Sequence, residues 1–312
     1  MNILKKGRVA LGVIAVGAVV ALAGCAQGDP TAPETGDAAG GGSSSTIIVG
    51  SFAFPESEIL GEIYAQALTA KGFDVQTKFN IGPRQQTIPA LQDGSINLIP
   101  EYNGNLLAYY DTAFTQRTTE DVDSALTDAV AADELTVYSS AEAEDKDAYV
   151  VTSDYATANG LTSIGDLSKV QPLTLGANPQ FAELGYGLPG LASVYGVDQV
   201  TFVPYEDFGG PDTVKALVDN TVQVADIYTT SPALKAENLT VLEDPENLIA
   251  AQNVIPLLSS SIDTPELKEV LDAVSAKLTT DDLITLRDRV EGDEQASANT
   301  AAADWLKEAG LL

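Results

Sequence analysis

Across 312 residues the chain carries 45 acidic side chains against 16 basic ones, a formal charge of −29. A field of that sign repels phosphate backbones and anionic membrane surfaces, so nucleic acid is excluded as a partner. With no histidine and one cysteine, Cys25, the chain has no means for Ser-His-Asp or Cys-His catalysis and no His/Cys metal site, and neither cofactor nor metal is expected.

Lys5, Lys6 and Arg8 precede an apolar run from Val9 to Ala23, short for a membrane span and right for the core of a secretory signal. The run ends in Leu22-Ala23-Gly24-Cys25. This order resembles the lipobox of bacterial lipoproteins, in which the cysteine is lipidated and becomes the mature N-terminus. The resemblance implies a signal peptide over 1–24 and lipidation at Cys25. Each buried CH₂ of an acyl chain adds about 0.8 kcal/mol, so several chains hold a protein at the membrane, here on its extracytoplasmic side. Residues 25–45 are rich in Gly, Ser, Pro, Thr and Asp and read as a flexible tether.

The folded part opens with a buried-type strand, Thr46 to Gly50, then a turn with Phe52, Phe54 and Pro55. Glu56 to Lys71 is helical, with Ile59, Ile63 and Ala67 beside Leu60, Tyr64 and Leu68 on its apolar stripe. Phe73, Val75, Thr77, Phe79 and Ile81 alternate as a strand. Arg84 to Gln92 is a short helix strained by Pro89, and Ile96 to Ile99 a strand whose ladder Pro100 ends. Thr118 or Thr119 caps a helix with Val122, Leu126, Ala129 and Val130 buried. Further on, strands are expected near Tyr149, Leu173, Val200, Val222 and Leu239, alternating with helices near Ser163, Leu191 and Pro211. Helices starting at Thr264 and Asp281, and a last one at Trp305, close the chain.

One pattern occurs twice. Ala90-Leu91-Gln92-Asp93-Gly94 leads through a strand to Tyr102, and Ala216-Leu217-Val218-Asp219-Asn220 leads in the same register to Tyr228. Gly and Asn are the residues that best tolerate positive φ, so each copy reads as helix end, turn, strand and tyrosine. The C-terminal edge of a strand is where open α/β sheets bind small ligands. Alternating strands and helices predict an α/β fold with largely parallel sheets, in which one lobe interrupts another. The expected division is lobe 1 over 46–146 and 253–312 and lobe 2 over 147–252, joined by a hinge with the ligand cleft between them.

Five stretches carry a resemblance. They are Val49-Gly50-Ser51 with Ile59-Leu60-Gly61-Glu62; Pro100-Glu101-Tyr102-Asn103-Gly104; Asp147-Ala148-Tyr149; Tyr186-Gly187-Leu188-Pro189-Gly190-Leu191 with Tyr195-Gly196; and Asp226-Ile227-Tyr228-Thr229-Thr230. In these the chain is similar to the substrate-binding proteins of osmoprotectant ABC importers, which take glycine betaine, carnitine or choline. The resemblance implies a type II periplasmic-binding-protein fold, a quaternary amine as ligand, membrane permease subunits as partners, a monomeric state and no enzymatic activity. It also implies an aromatic box. A trimethylammonium has no N–H to donate, so it is held by the negative faces of rings, at roughly 0.5–2 kcal/mol each. Tyr102, Tyr149 and Tyr228 match box positions, and Asp147 matches an acid near the cation.

The departures concern the ligand's tail. Gln252 stands where many members have a further tyrosine. Phe52, Asn105 and Leu184 stand where members that hold a carboxylate have Lys, Thr and Arg. Since a buried carboxylate without a cation is costly, the sequence favours choline over glycine betaine, with Phe52 adding a ring. The alternative is the same fold serving another small solute, a betaine-like thione or an amino acid derivative. A carboxylate-based hydrolase has no nucleophile motif or paired-acid signature to support it.

Overall fold

The computed structural model describes residues 46–312; the basic and apolar leader, Cys25 and the tether lie outside them. Among the described residues no helix is long and apolar enough to cross a membrane. The chain starts with β1 (Ile47–Gly50) and α1 (Pro55–Ala70). Proline suits the first position of α1, because the N–H it lacks would have no acceptor within the helix. The expected stripe of α1 is buried. β2 (Val75–Lys78) is shorter than its alternating sequence suggests, although Phe73, Phe79 and Ile81 on either side still pack on the core. α2 (Arg84–Gln92) runs straight through Pro89. The carbonyl that Pro89 leaves unmet belongs to exposed Gln85, which water can serve.

β3 (Leu98–Tyr102) starts later than expected and does not stop at Pro100. Pro100 lies opposite Pro256, and the Asn103 N–H bonds the Asn253 carbonyl three residues on. Antiparallel pairs alternate, so the two prolines face each other at a non-hydrogen-bonded pair and the β3–β10 ladder misses neither N–H; towards β4, Pro256 still accepts the Tyr138 N–H. On the other side β1 pairs with β3 only at Leu98. α3 (Asn103–Tyr110) follows at once, then α4 (Thr119–Ala131), with Thr118 accepting the Asp121 N–H as its cap, and β4 (Leu135–Val137).

The second run comprises β5 (Tyr149–Thr152), α5 (Ser153–Asn159), β6 (Leu173–Ala177), α6 (Leu188–Tyr195), β7 (Val200–Pro204), α7 (Pro211–Val218), β8 (Val224–Asp226), α8 (Ala233–Ala236) and β9 (Leu239–Val241). The chain then returns as β10 (Val254–Ser259), α9 (Pro265–Ser275), α10 (Thr280–Glu291) and α11 (Ala298–Ala309).

Two five-stranded sheets result, ordered β2-β1-β3-β10-β4 and β7-β6-β8-β5-β9. They share one plan: three parallel strands, then a strand antiparallel to both its neighbours. The sheets are therefore mixed, not largely parallel. Each takes its fourth strand from the chain as it passes between the lobes, β10 in the first sheet and β5 in the second, and that strand enters in the opposite sense. Gly94 and Asn220 both adopt positive φ, 75° and 55°, so the two copies of the repeat turn alike into β3 and β8. In the second sheet successive residues of β5 serve opposite cores. Tyr149 and Val151 join one apolar cluster, and Ala148 and Val150 join another that also includes Ile284 of α10.

A candidate ligand cleft between the lobes

A cavity of about 530 Å³ is lined by Phe52, Phe54, Arg84, Tyr102, Asn105, Lys146, Asp147, Tyr228 and Gln252, among others. It thus collects the loop after β1, the start of α2, the end of β3 and the two chain crossings. Phe52 is buried and Phe54 is 39% exposed. Their rings stack at 5.7 Å with planes 8° apart, and Phe54 stacks in turn on Tyr102 at 6.3 Å. Gln252 ties the second crossing to α3: its side-chain oxygen accepts the Asn105 N–H at 2.9 Å. Gly104 makes that approach feasible, because a Cβ there would lie 2.2 Å from the Ala251 carbonyl oxygen.

The tyrosine that ends β3 is held from three directions. Its N–H donates to Glu101 Oε2 at 2.9 Å, its hydroxyl donates to Glu56 Oε1 and its ring meets Phe54. Glu101, whose side chain is fully buried, also receives a two-pronged bond from Arg84, with Nε and Nη2 each at 2.7 Å. The Arg84 guanidinium in turn lies 5.4 Å from the Phe52 ring centre. One carboxylate therefore positions both a ring and a cation of the same wall.

Glu56 is the second residue of α1 and is buried, with no hydrogen-bond partner for Oε2 among the described residues. Burial pushes its carboxyl up to about 8, the nearby Asp145 charge adds to this, and Arg287, Tyr102 and Thr230 oppose it. Arg287 Nη1 is 3.9 Å from that oxygen and donates to Thr230 Oγ1 at 2.8 Å. Thr230 donates to Asp145 Oδ1, also at 2.8 Å. A polar chain thus runs from Tyr102 through Glu56 and Arg287 to the segment where the chain first leaves the first lobe.

The second lobe brings Tyr228 and Asp147 to the cavity. Tyr228 is half-buried, and its hydroxyl has no protein partner among the described residues. Burial raises the pKa of its hydroxyl above the usual phenol value, and the carboxylates of Asp147, Asp226 and Asp145 raise it further. Asp147 accepts the Tyr186 hydroxyl at 3.0 Å. Desolvation pushes both Asp147 and Asp226 up, and the Asp147 charge raises Asp226 further.

Of the residues named from sequence, Phe52, Tyr102, Asn105, Asp147, Tyr228 and Gln252 line this cavity. Tyr149 does not. It is fully buried, its hydroxyl donates to the backbone carbonyls of Tyr186 and Gly187, and its ring meets Phe181 edge-on. Leu184 lies outside the lining, and Cys25 lies outside the described residues. The expectation that no positive charge waits in the cleft is overturned: Arg84 and Lys146 both line it. Neither is among the three motif positions, and no local pattern distinguishes them from surface cations. Phe54, Glu56 and Arg287 were missed for the same reason. A second cavity, of about 810 Å³, adjoins the first through Phe54, Asp145 and Tyr228.

Comparison with known proteins shows the family and the fold. Residues 45–308 match the family described as the substrate-binding domain of ABC-type glycine betaine transport systems. The glycine betaine-binding protein YehZ of Escherichia coli K12 is 28% identical over 285 residues, covering 86% of this chain and 92% of that protein. A glycine-betaine-binding protein of Pseudomonas aeruginosa is 26% identical over 294 residues, covering 88% and 91%. Among solved structures, one described as a glycine betaine/carnitine/choline ABC transporter superposes with a TM-score of 0.76 at 20% identity. It covers 86% of this chain and 99% of its own, a likeness that shows the fold: the two-lobed, type II periplasmic binding protein.

Proposed function

The chain belongs to the family of substrate-binding domains of ABC-type glycine betaine transport systems, and from that premise we propose that its cleft captures a quaternary-ammonium solute of the choline or betaine type. It is a solute-binding protein of an importer, not an enzyme. The observation that carries the ligand class is the convergence of Phe52, Phe54, Tyr102 and Tyr228 on one cavity with Asp147. Rings supply the attraction that a cation without N–H groups can use, and the acid supplies charge. Closing the cleft removes water from both and strengthens them.

In this reading the crossings near Asp147 and Asn253 are the hinge, and ligand shifts the population toward closed lobes. Lipid at Cys25, beyond a signal peptide over 1–24 and before the tether of 25–45, holds the protein outside the cytoplasm. There, as a monomer, it delivers the solute to permease subunits. Calorimetric titration of the purified domain with choline, glycine betaine and carnitine tests the ligand class, and a solute that binds only the folded state also raises the melting point. Absence of binding to all three removes the quaternary-ammonium reading. Recovery of Cys25→Ser in the membrane fraction at the wild-type level removes the anchor.

A further inference from the structure

Arg84 has five N–H groups, and Glu101 takes two of them through Nε and Nη2. The remaining three, two on Nη1 and one on Nη2, have no acceptor among the described residues. Two of them, one on each Nη, form the end-on edge of a planar fork, which matches the two oxygens of a carboxylate. The side chain is 19% exposed and lines the cavity that also holds Tyr102, Asp147 and Tyr228. Its orientation is fixed on both flanks, by the buried carboxylate of Glu101 and by the Phe52 ring beneath it. The rotamer entropy that a free arginine loses on binding has therefore already been lost in the folded protein.

The local backbone adds to this. Arg84 opens α2, and Pro83 before it offers no side-chain cap. The N–H groups of Arg84 and Gln85 have no backbone acceptor, so the positive end of the helix and the guanidinium act on the same side of the cavity. Lys146, the other cation in the lining, is less suited: its ammonium is taken up by Glu144 at 2.9 Å and is a point charge without a fork.

We propose that Arg84 is the specificity-determining residue that receives the carboxylate of a zwitterionic quaternary amine, in place of the cationic positions this chain lacks at Phe52 and Leu184. The inference rests on the quaternary-ammonium reading above and names the tail of the ligand, which sequence alone assigned the other way. The cleft then presents Arg84 to the negative end, and Asp147 and the rings to the positive end. A ligand with a carboxylate uses both, whereas choline uses one.

The test compares two ligands with the same head, glycine betaine and choline, by calorimetric titration. Arg84→Ala alone leaves Glu101 buried without its cation and endangers folding. The informative variant is therefore Arg84→Met combined with Glu101→Gln, its fold checked by thermal melt, with Arg84→Lys as the conservative partner. Wild type should bind glycine betaine more tightly than choline. The double variant should lose about ten- to a hundredfold more affinity for glycine betaine than for choline, the loss of a charged hydrogen-bonded pair that only the carboxylate makes. Arg84→Lys should fall between, because it keeps charge and loses the fork. Equal losses for both ligands, or no loss for either, overturn the anchor. So does a loss confined to Lys146→Met. Each of those outcomes leaves the quaternary-ammonium reading standing, and only a wild type that binds neither ligand brings both down.

Discussion

The two lobes share a sheet plan and a sequence repeat, yet they equip the cleft differently. In the first lobe β3 has five buried residues, and the tyrosine that ends it is fastened by Glu101, Glu56 and Phe54. In the second, β8 has three, and Tyr228 lies beyond its end, its hydroxyl without a protein partner among the described residues. The other matched tyrosine of that lobe, Tyr149, serves the core instead. The same strand-to-tyrosine pattern thus yields a fixed wall on one side and a looser one on the other. A ligand loses least by meeting the fixed wall first, where the groups are already ordered, and drawing the second lobe onto itself.

The largest effect should come from undoing the fixed wall. Arg84→Ala strands a fully buried carboxylate, and urea unfolding should report a loss of about 3 kcal/mol, the lower end of the range for a broken buried pair because the arginine itself is partly exposed. A loss comparable to that of a surface pair would mean the wall is not built around Glu101.

Next comes binding. Tyr102→Ala should weaken the preferred ligand by about 2 kcal/mol, roughly thirtyfold, because a fixed ring is lost. Tyr228→Ala should cost about 1 kcal/mol, roughly fivefold. The reverse order would assign the ordered wall to the wrong lobe.

Smaller still is a pH effect that belongs to Glu56. Its carboxyl titrates near 8 in the folded protein against 4.5 ordinarily, so between those values the folded state holds the extra proton. Its contribution to stability is full below about 4.5 and is lost as pH rises through about 8. The melting temperature should fall across that window, and Glu56→Gln should flatten the fall. Asp147 and Asp226 are displaced in the same direction by burial, so some slope should survive the substitution. An unchanged slope in Glu56→Gln would place the titration in Asp145, Asp147 and Asp226, all raised by burial. The smallest effect is that of Tyr102→Phe, which keeps the ring and removes only the hydroxyl bond to Glu56. Ligand affinity should change by about 0.5 kcal/mol or less.

Much of the scaffold was legible because its signals are local. Thr118 caps α4, Pro55 opens α1, and Gly94 and Asn220 turn the chain where the repeat requires. Five of the six cavity residues named in advance, all but Gln252, lie on motif stretches or beside them. What stayed hidden depends on partners far apart in the chain. Glu56 meets Tyr102 across 46 positions, and Arg84 meets Glu101 across 17, spacings that carry no periodicity. Tyr149 was misplaced for a different reason. A motif says that a strand bears a tyrosine, but both faces of β5 are core, and it is Asp147, before the strand begins, that reaches the cavity. Pro100 misled because the rule against proline in a ladder has an exception at the pairs where no N–H is needed.

The position of β10 has a consequence for how the protein is made. All five strands of the second sheet come from one continuous stretch, Tyr149 to Val241, whereas the first sheet cannot place β4 until β10 arrives to lie between it and β3. Asn253 reaches back to Asn103 over 150 positions to secure that strand. Such closure over a long span is slow compared with local pairing. During synthesis every strand of the second sheet emerges before β10 does, so β3 and β4 wait with the edges that β10 will cover still open. The half of the binding wall that is stiffest in the finished molecule is the last part of it to come into being.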